Sequence, residues 1–157
     1  MDGRRAFERA GNYLEKFAEE GLMAIRIVYF EKSVADSILT AAMSVYPRET
    51  ILLLQGKKSG DEIRLNSILI PPLATYGRGF SVYLGTMLPW DLTIMGAAHS
   101  HPSGNSHPST LDLNHFRGRI MVIAAYPYND YTNLAVYDRE GSTIPHEIVP
   151  DEIPQQL

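Results

Sequence analysis

The segment ETILLLQG (49–56) is apolar at nearly every position between its polar ends. A strand with one wet face alternates, so a run like this marks a strand covered on both faces. RIMVIAAYPY (119–128) reads as another buried strand, and LTIMGAAHSH (92–101) as an apolar strand that ends in polar residues. The chain must therefore supply layers to cover a central sheet. SVADSILTAAMSVY (33–46) places Val34, Ile38, Ala41 or Ala42, and Val45 at helical spacing, with Ser33 as N-cap and Pro47 as the stop. STLDLNHFRG (109–118) opens a second helix, and Phe7, Ala10, Leu14, Phe17 and Ala18 mark a third over residues 5–20. Further strands are expected at 24–30, 62–72 and 80–86, and NLAVYDREG and TIPHEIVP should close as a hairpin across REGS. Interleaved strands and helices give an α/β class with a central mixed, curved β-sheet flanked by helices, plus an extra N-terminal helix.

Composition narrows the function. The 157 residues are 45% hydrophobic and 20% charged, as expected of one ordinary globular domain. A net charge of −4 and basic residues clustered no further than the pairs Arg4-Arg5 and Lys57-Lys58 argue against a nucleic-acid surface. The absence of cysteine excludes a thiol nucleophile, a disulfide framework and the PCxxC zinc ligands of a deaminase. No apolar run approaches the roughly 20 residues needed to span a bilayer. Charge interrupts the N-terminal segment throughout, so the cytoplasm is the expected location.

The polar end of the third strand carries the chemistry. Residues i and i+2 of a strand share a face, so His99 and His101 present two imidazoles side by side. Asp112, eleven residues beyond His101, returns across a Pro/Ser/Gly/Asn loop of suitable length. Two imidazoles, one carboxylate and an open fourth position describe a catalytic zinc site. STLD also fits a capping box, so Ser109 and Asp112 have a structural reading as a helix start. That reading leaves the two histidines unexplained. His107 and His115 are expected on the surface. For a general base, spacing alone does not choose among Glu31, Glu49, Glu62 and Asp91.

The string HSHPSGNSHPSTLD resembles the His-x-His-x7-Ser-x2-Asp signature of the JAMM (MPN-plus) metallopeptidases at every position. YPRETILLLQG resembles the family's upstream glutamate segment, and IMVIAAYPYND…LAVYDREG its later strands in compact archaeal members. The likeness spans about residues 25–150. It implies the MPN (cytidine-deaminase-like) fold, one Zn2+ per chain held by His99, His101 and Asp112, Glu49 as general acid/base, and Ser109 as the hydroxyl steadying the tetrahedral intermediate. Pro102 and Pro108 then shape the loop. The implied organisation is a helical extension over 1–24 and a catalytic domain over 25–157.

The implied activity is zinc-dependent hydrolysis of the amide joining a ubiquitin-like modifier's C-terminal glycine to a lysine, as in deubiquitinases. Processing of a sulfur-carrier protein's C-terminus and a non-catalytic scaffold are the alternatives. The linkage-selective eukaryotic members carry insertions and a cysteine-containing second zinc site, which this chain lacks room and residues for. A compact archaeal or bacterial type is therefore expected. Modifier tails are captured as extended strands, and YGRGFSVYL (76–84) is the candidate edge. The N-terminal helix packs on the domain, forms a homodimer contact or flaps over the groove.

Overall fold

A computed structural model of the chain describes residues 23–71, 91–116 and 118–153. The N-terminal helix, the strand expected at 80–86 and the candidate edge 76–84 lie outside these residues. A seven-stranded sheet runs in the order β6-β5-β4-β2-β3-β1-β7. Its strands are β1 (Ile27–Glu31), β2 (Ile51–Ser59), β3 (Glu62–Leu69), β4 (Ile94–His101), β5 (Ile120–Ala125), β6 (Leu134–Tyr137) and β7 (His146–Val149). The pairs β1/β3, β1/β7 and β4/β5 are parallel, while β2/β3, β2/β4 and β5/β6 are antiparallel. The sheet is thus mixed, and register shifts at Leu54/Gln55 and Gln55/Gly56 bend it.

Helix α1 (Lys32–Val45) covers one face through Val34, Ala35, Ile38, Leu39 and Ala42. These meet Val28, Phe30, Leu52, Leu54, Leu65, Val122 and Ala124 in the main core. Burying Val34, Ile38 and Leu39 contributes about 1.5–3 kcal/mol each. The other face of β5 packs Met121 and Ile123 with Tyr137, Leu113 and Phe116. Leu113 belongs to α2 (Thr110–His115), so the short helix beside the candidate ligands helps cover this second layer. Burial of every residue of β5 agrees with its unbroken apolar sequence.

Two local expectations are corrected. The last two strands do not form a hairpin. β6 pairs with β5 at one edge of the sheet and β7 with β1 at the other, joined only by a Tyr137–Thr143 bridge. Asp138 accepts from the backbone N–H groups of Glu140 and Ser142 and closes the turn across REGS, but pairing ends with the Ile144 N–H to the Val136 carbonyl. Burial of Ile144 then leads the chain away across the main core. Nor does Ser33 cap α1. The N-cap is Glu31, and the Ser33 N–H instead donates to Asp151, 118 residues away. That partner comes from tertiary structure and leaves no local signal.

Gly96 lets β4 and β5 approach. A Cβ there would lie 1.8 Å from the Ile120 carbonyl oxygen, a backbone atom that cannot step aside. Gly96→Ala should destabilise the fold by about 3 kcal/mol or more, because the two strands carrying the core must part. A denaturant midpoint matching that of the unaltered chain would contradict this packing.

Candidate metal centre

The last four residues of β4 alternate across the sheet. Ala98 joins the α1-side core, and Ser100 is fully buried. His99 and His101 share the opposite disposition, with ring centroids 4.9 Å apart and Nε2 atoms 3.1 Å apart. Asp112, from the first turn of α2, completes the group. Its Oδ1 lies 3.3 Å from His99 Nε2, and its Oδ2 lies 3.4 Å from His101 Nε2.

These separations fit a tetrahedral zinc. Bonds of about 2.05 Å at tetrahedral angles put neighbouring ligand atoms about 3.3 Å apart. The three observed spacings fall within a few tenths of that length. The donor set agrees: two nitrogens aimed at each other and one carboxylate, each side chain at most one-fifth exposed. Without a cation, two neutral imidazoles meeting Nε2 to Nε2 need one ring to turn its proton inward. The His101 Nδ1, 2.7 Å from the Asn105 carbonyl oxygen, carries its proton there as a donor and leaves Nε2 free as a ligand.

The structure also joins the two readings of Ser109 and Asp112. Ser109 Oγ accepts from the Asp112 N–H at 3.1 Å, while the Ser109 N–H donates to Asp112 Oδ2 at 2.6 Å. This is a capping box, and the same two bonds hold the Asp112 carboxylate against the histidines. Partial burial raises the Asp112 pKa, but hydrogen bonds from His99 and Ser109 outweigh it. The carboxyl is held well below its usual range, as an anionic ligand requires.

The loop between is fixed at several points. Gly104, with φ +79°, donates to the His101 carbonyl, and the His107 N–H bonds the Asn105 side chain. The buried Tyr137 donates its hydroxyl to the Ser106 carbonyl at 2.7 Å. Asn105 and Tyr137 escape sequence reading because each acts through a backbone oxygen. His107 and His115 are exposed and outside the cluster, and His146 lies at the far edge of the sheet.

The four candidate acids now separate. Glu31 is buried and paired with Arg64 at 3.0 Å, Glu62 bonds Arg26, and Asp91 binds Thr93. Glu49 is exposed and has no hydrogen bond or ion pair among the described residues. It enters β2, whose Ile51 pairs with His99. The last backbone bond of that pairing runs from the Ser100 N–H to the Thr50 carbonyl, which leaves Glu49 one residue beyond it, at the His101 end of β4.

Comparison with known proteins agrees. The family of prokaryotic homologs of the JAB domain matches residues 31–138. A probable metalloprotease of Haloferax volcanii is 28% identical over 113 residues, which are 68% of this chain and 70% of the relative. A solved JAMM structure, described as a metalloprotease-like zinc site in the proteasome and signalosome, is 28% identical with a TM-score of 0.55. The match covers 81% of this chain and 99% of that one. A JAB1/MPN domain protein from Archaeoglobus fulgidus is likewise 28% identical, with TM-score 0.55 and 80% and 97% covered. A Desulfitobacterium hafniense protein at 15% identity and TM-score 0.56, with 81% and 95% covered, shares the fold. With more than half its length matched by the family and a zinc-shaped triad at the signature residues, the chain belongs to the compact prokaryotic JAMM/MPN family, metallohydrolases built round a zinc site.

Proposed function

We propose that the chain is a zinc-dependent isopeptidase that hydrolyses the amide between the C-terminal glycine of a ubiquitin-like modifier and a lysine side chain. The observation that carries this reading is the His99–His101–Asp112 cluster with one uncommitted acid, Glu49, a strand away. A zinc bound by those three side chains supplies Lewis acidity and lowers the pKa of bound water to about 7. Glu49 is the general base and then the general acid. A carboxylate oxygen takes the attacking water's proton and returns it to the departing lysine nitrogen. The Ser109 hydroxyl accepts from the Asp112 N–H through its oxygen, which leaves its own hydrogen to donate to the oxyanion. Capping and oxyanion stabilisation are then compatible roles for one residue.

Residues 25–157 form the catalytic domain in this reading, and residues 1–24 an extension. The protein acts in the cytoplasm on a modifier-sized protein substrate. C-terminal processing of a sulfur-carrier protein uses the same ligands and differs only in the amine released. A purely scaffolding role is disfavoured, because the triad keeps ligand geometry. Among the described residues, no helix is long and apolar enough to cross a membrane.

The test is incubation with lysine-linked conjugates of small β-grasp modifiers, with and without a chelator, followed by mass analysis. Cleavage after the modifier's terminal glycine, lost on chelation and restored by zinc, is the expected result. Cleavage that persists in chelator would sink the metal-dependent reading.

A further inference from the structure

Ser100 sits between the two histidines, is fully buried and has its side chain on the face away from them. No ligand role is open to it. Its hydrogen bonds nevertheless lead toward the candidate base. In a regular antiparallel ladder the pair Thr50–Ser100 would exchange two backbone bonds. Here one is made, Ser100 N–H to the Thr50 carbonyl at 3.1 Å. The other is replaced: the Thr50 N–H donates to the Ser100 hydroxyl oxygen at 2.9 Å. β2 begins only at Ile51, so the side chain takes over where regular pairing stops, at the residue that follows Glu49.

A second observation points the same way. Tyr128 Oη is buried and without a hydrogen-bond partner among the described residues. Burial raises its pKa. Tyr126, two residues earlier, donates its N–H to the His101 carbonyl at 3.1 Å, which sets this segment at the Ser100 end of β4. Its backbone is held at φ 60°, unfavourable for a bulky residue, and its ring meets Tyr126 and Tyr46 edge-on at 5.7 and 6.5 Å. This cluster closes the α1 side of the strand end from which Glu49 departs.

We propose that Ser100 is a positioning residue for Glu49: its buried hydroxyl replaces the ladder carbonyl at Thr50 and fixes the backbone that delivers the Glu49 carboxylate beside His101. Tyr128 packs in the main core at the same end of the sheet. The inference rests on the role given to Glu49 above. It adds that a residue facing away from the metal sets the turnover number.

Ser100→Ala and Ser100→Cys, which removes or weakens the acceptor at nearly constant volume, are compared with Ser100→Thr and Glu49→Gln. Zinc affinity, amide exchange at Thr50, and kcat and KM on an isopeptide between a β-grasp modifier and a lysine peptide are measured. In Ser100→Ala, exchange at Thr50 should rise about five- to tenfold. The kcat should fall about 10–100-fold with KM and zinc affinity unchanged. Ser100→Cys should fall between, and Ser100→Thr should restore exchange protection and most of the turnover. Unaltered Thr50 exchange, or full kcat in both Ser100→Ala and Ser100→Cys while Glu49→Gln is inactive, overturns the inference and leaves the proposed function standing. An active Glu49→Gln instead overturns the base assignment itself.

Discussion

Replacing His99 with alanine should abolish stoichiometric zinc binding, and hydrolysis with it, while the chain stays folded. Apparent zinc affinities of about 10–16 kcal/mol are spread over the ligand set, so one imidazole is worth roughly 3 kcal/mol or more, at least about a hundredfold in affinity. The fold survives because the core does not depend on the imidazole. The main cluster on the α1 face and the Met121–Ile123–Tyr137 cluster are both built without His99. Metal analysis of the purified protein checks the loss, and a thermal melt checks the fold. Asp112→Asn sharpens the result. The amide can still accept the Ser109 N–H and keep the start of α2, but the anionic ligand is gone. Zinc affinity should fall with little change in melting temperature. Full zinc occupancy in His99→Ala would mean that the ion sits elsewhere.

Glu49→Gln should leave zinc bound and lower turnover by about 10²–10⁴-fold, the span of general acid–base catalysis. Glutamine keeps the size of the side chain and cannot exchange a proton at neutral pH. Glu31→Gln provides the contrast. Glu31 is 5% exposed and paired with Arg64, which also donates to the Pro150 carbonyl. Losing that charge should cost about 2 kcal/mol of stability, reduced from the fully buried case because Arg64 is partly open to solvent. The remaining folded enzyme should turn over normally. Kinetics and melting curves thus assign the two acids to different jobs. Undiminished hydrolysis in Glu49→Gln would return the base to an unidentified group.

Much of this site is legible in one dimension because its geometry is local. The two-residue period of β4 sets His99 and His101 side by side, and the three-residue reach of a capping box aims Asp112. The resemblance to JAMM proteins rests on that fixed spacing. Glu49 differs: it comes to the His101 end of β4 only because β2 runs antiparallel to β4 in one particular register. Spacing along the chain carries no record of that register, and only the family likeness selected this acid. Ser100 and Asn105 leave no mark in the sequence for a related reason. One is defined by an interrupted ladder bond and the other by a carbonyl oxygen, and neither depends on a distinctive residue pattern.

The sequence by itself determined the buried strands, helix α1 and the grouping of His99, His101 and Asp112 through periodicity and short-range spacing, and the family through resemblance. Tertiary structure alone decided that the last two strands part to opposite edges of the sheet. It also decided that Asp151 and not Ser33 serves the first turn of α1, and that Glu31, Glu62 and Asp91 are committed to other partners. The division has a physical cause. Local backbone geometry repeats along the chain and leaves a pattern in it, whereas strand order and long-range polar pairing depend on which surfaces meet when the core closes.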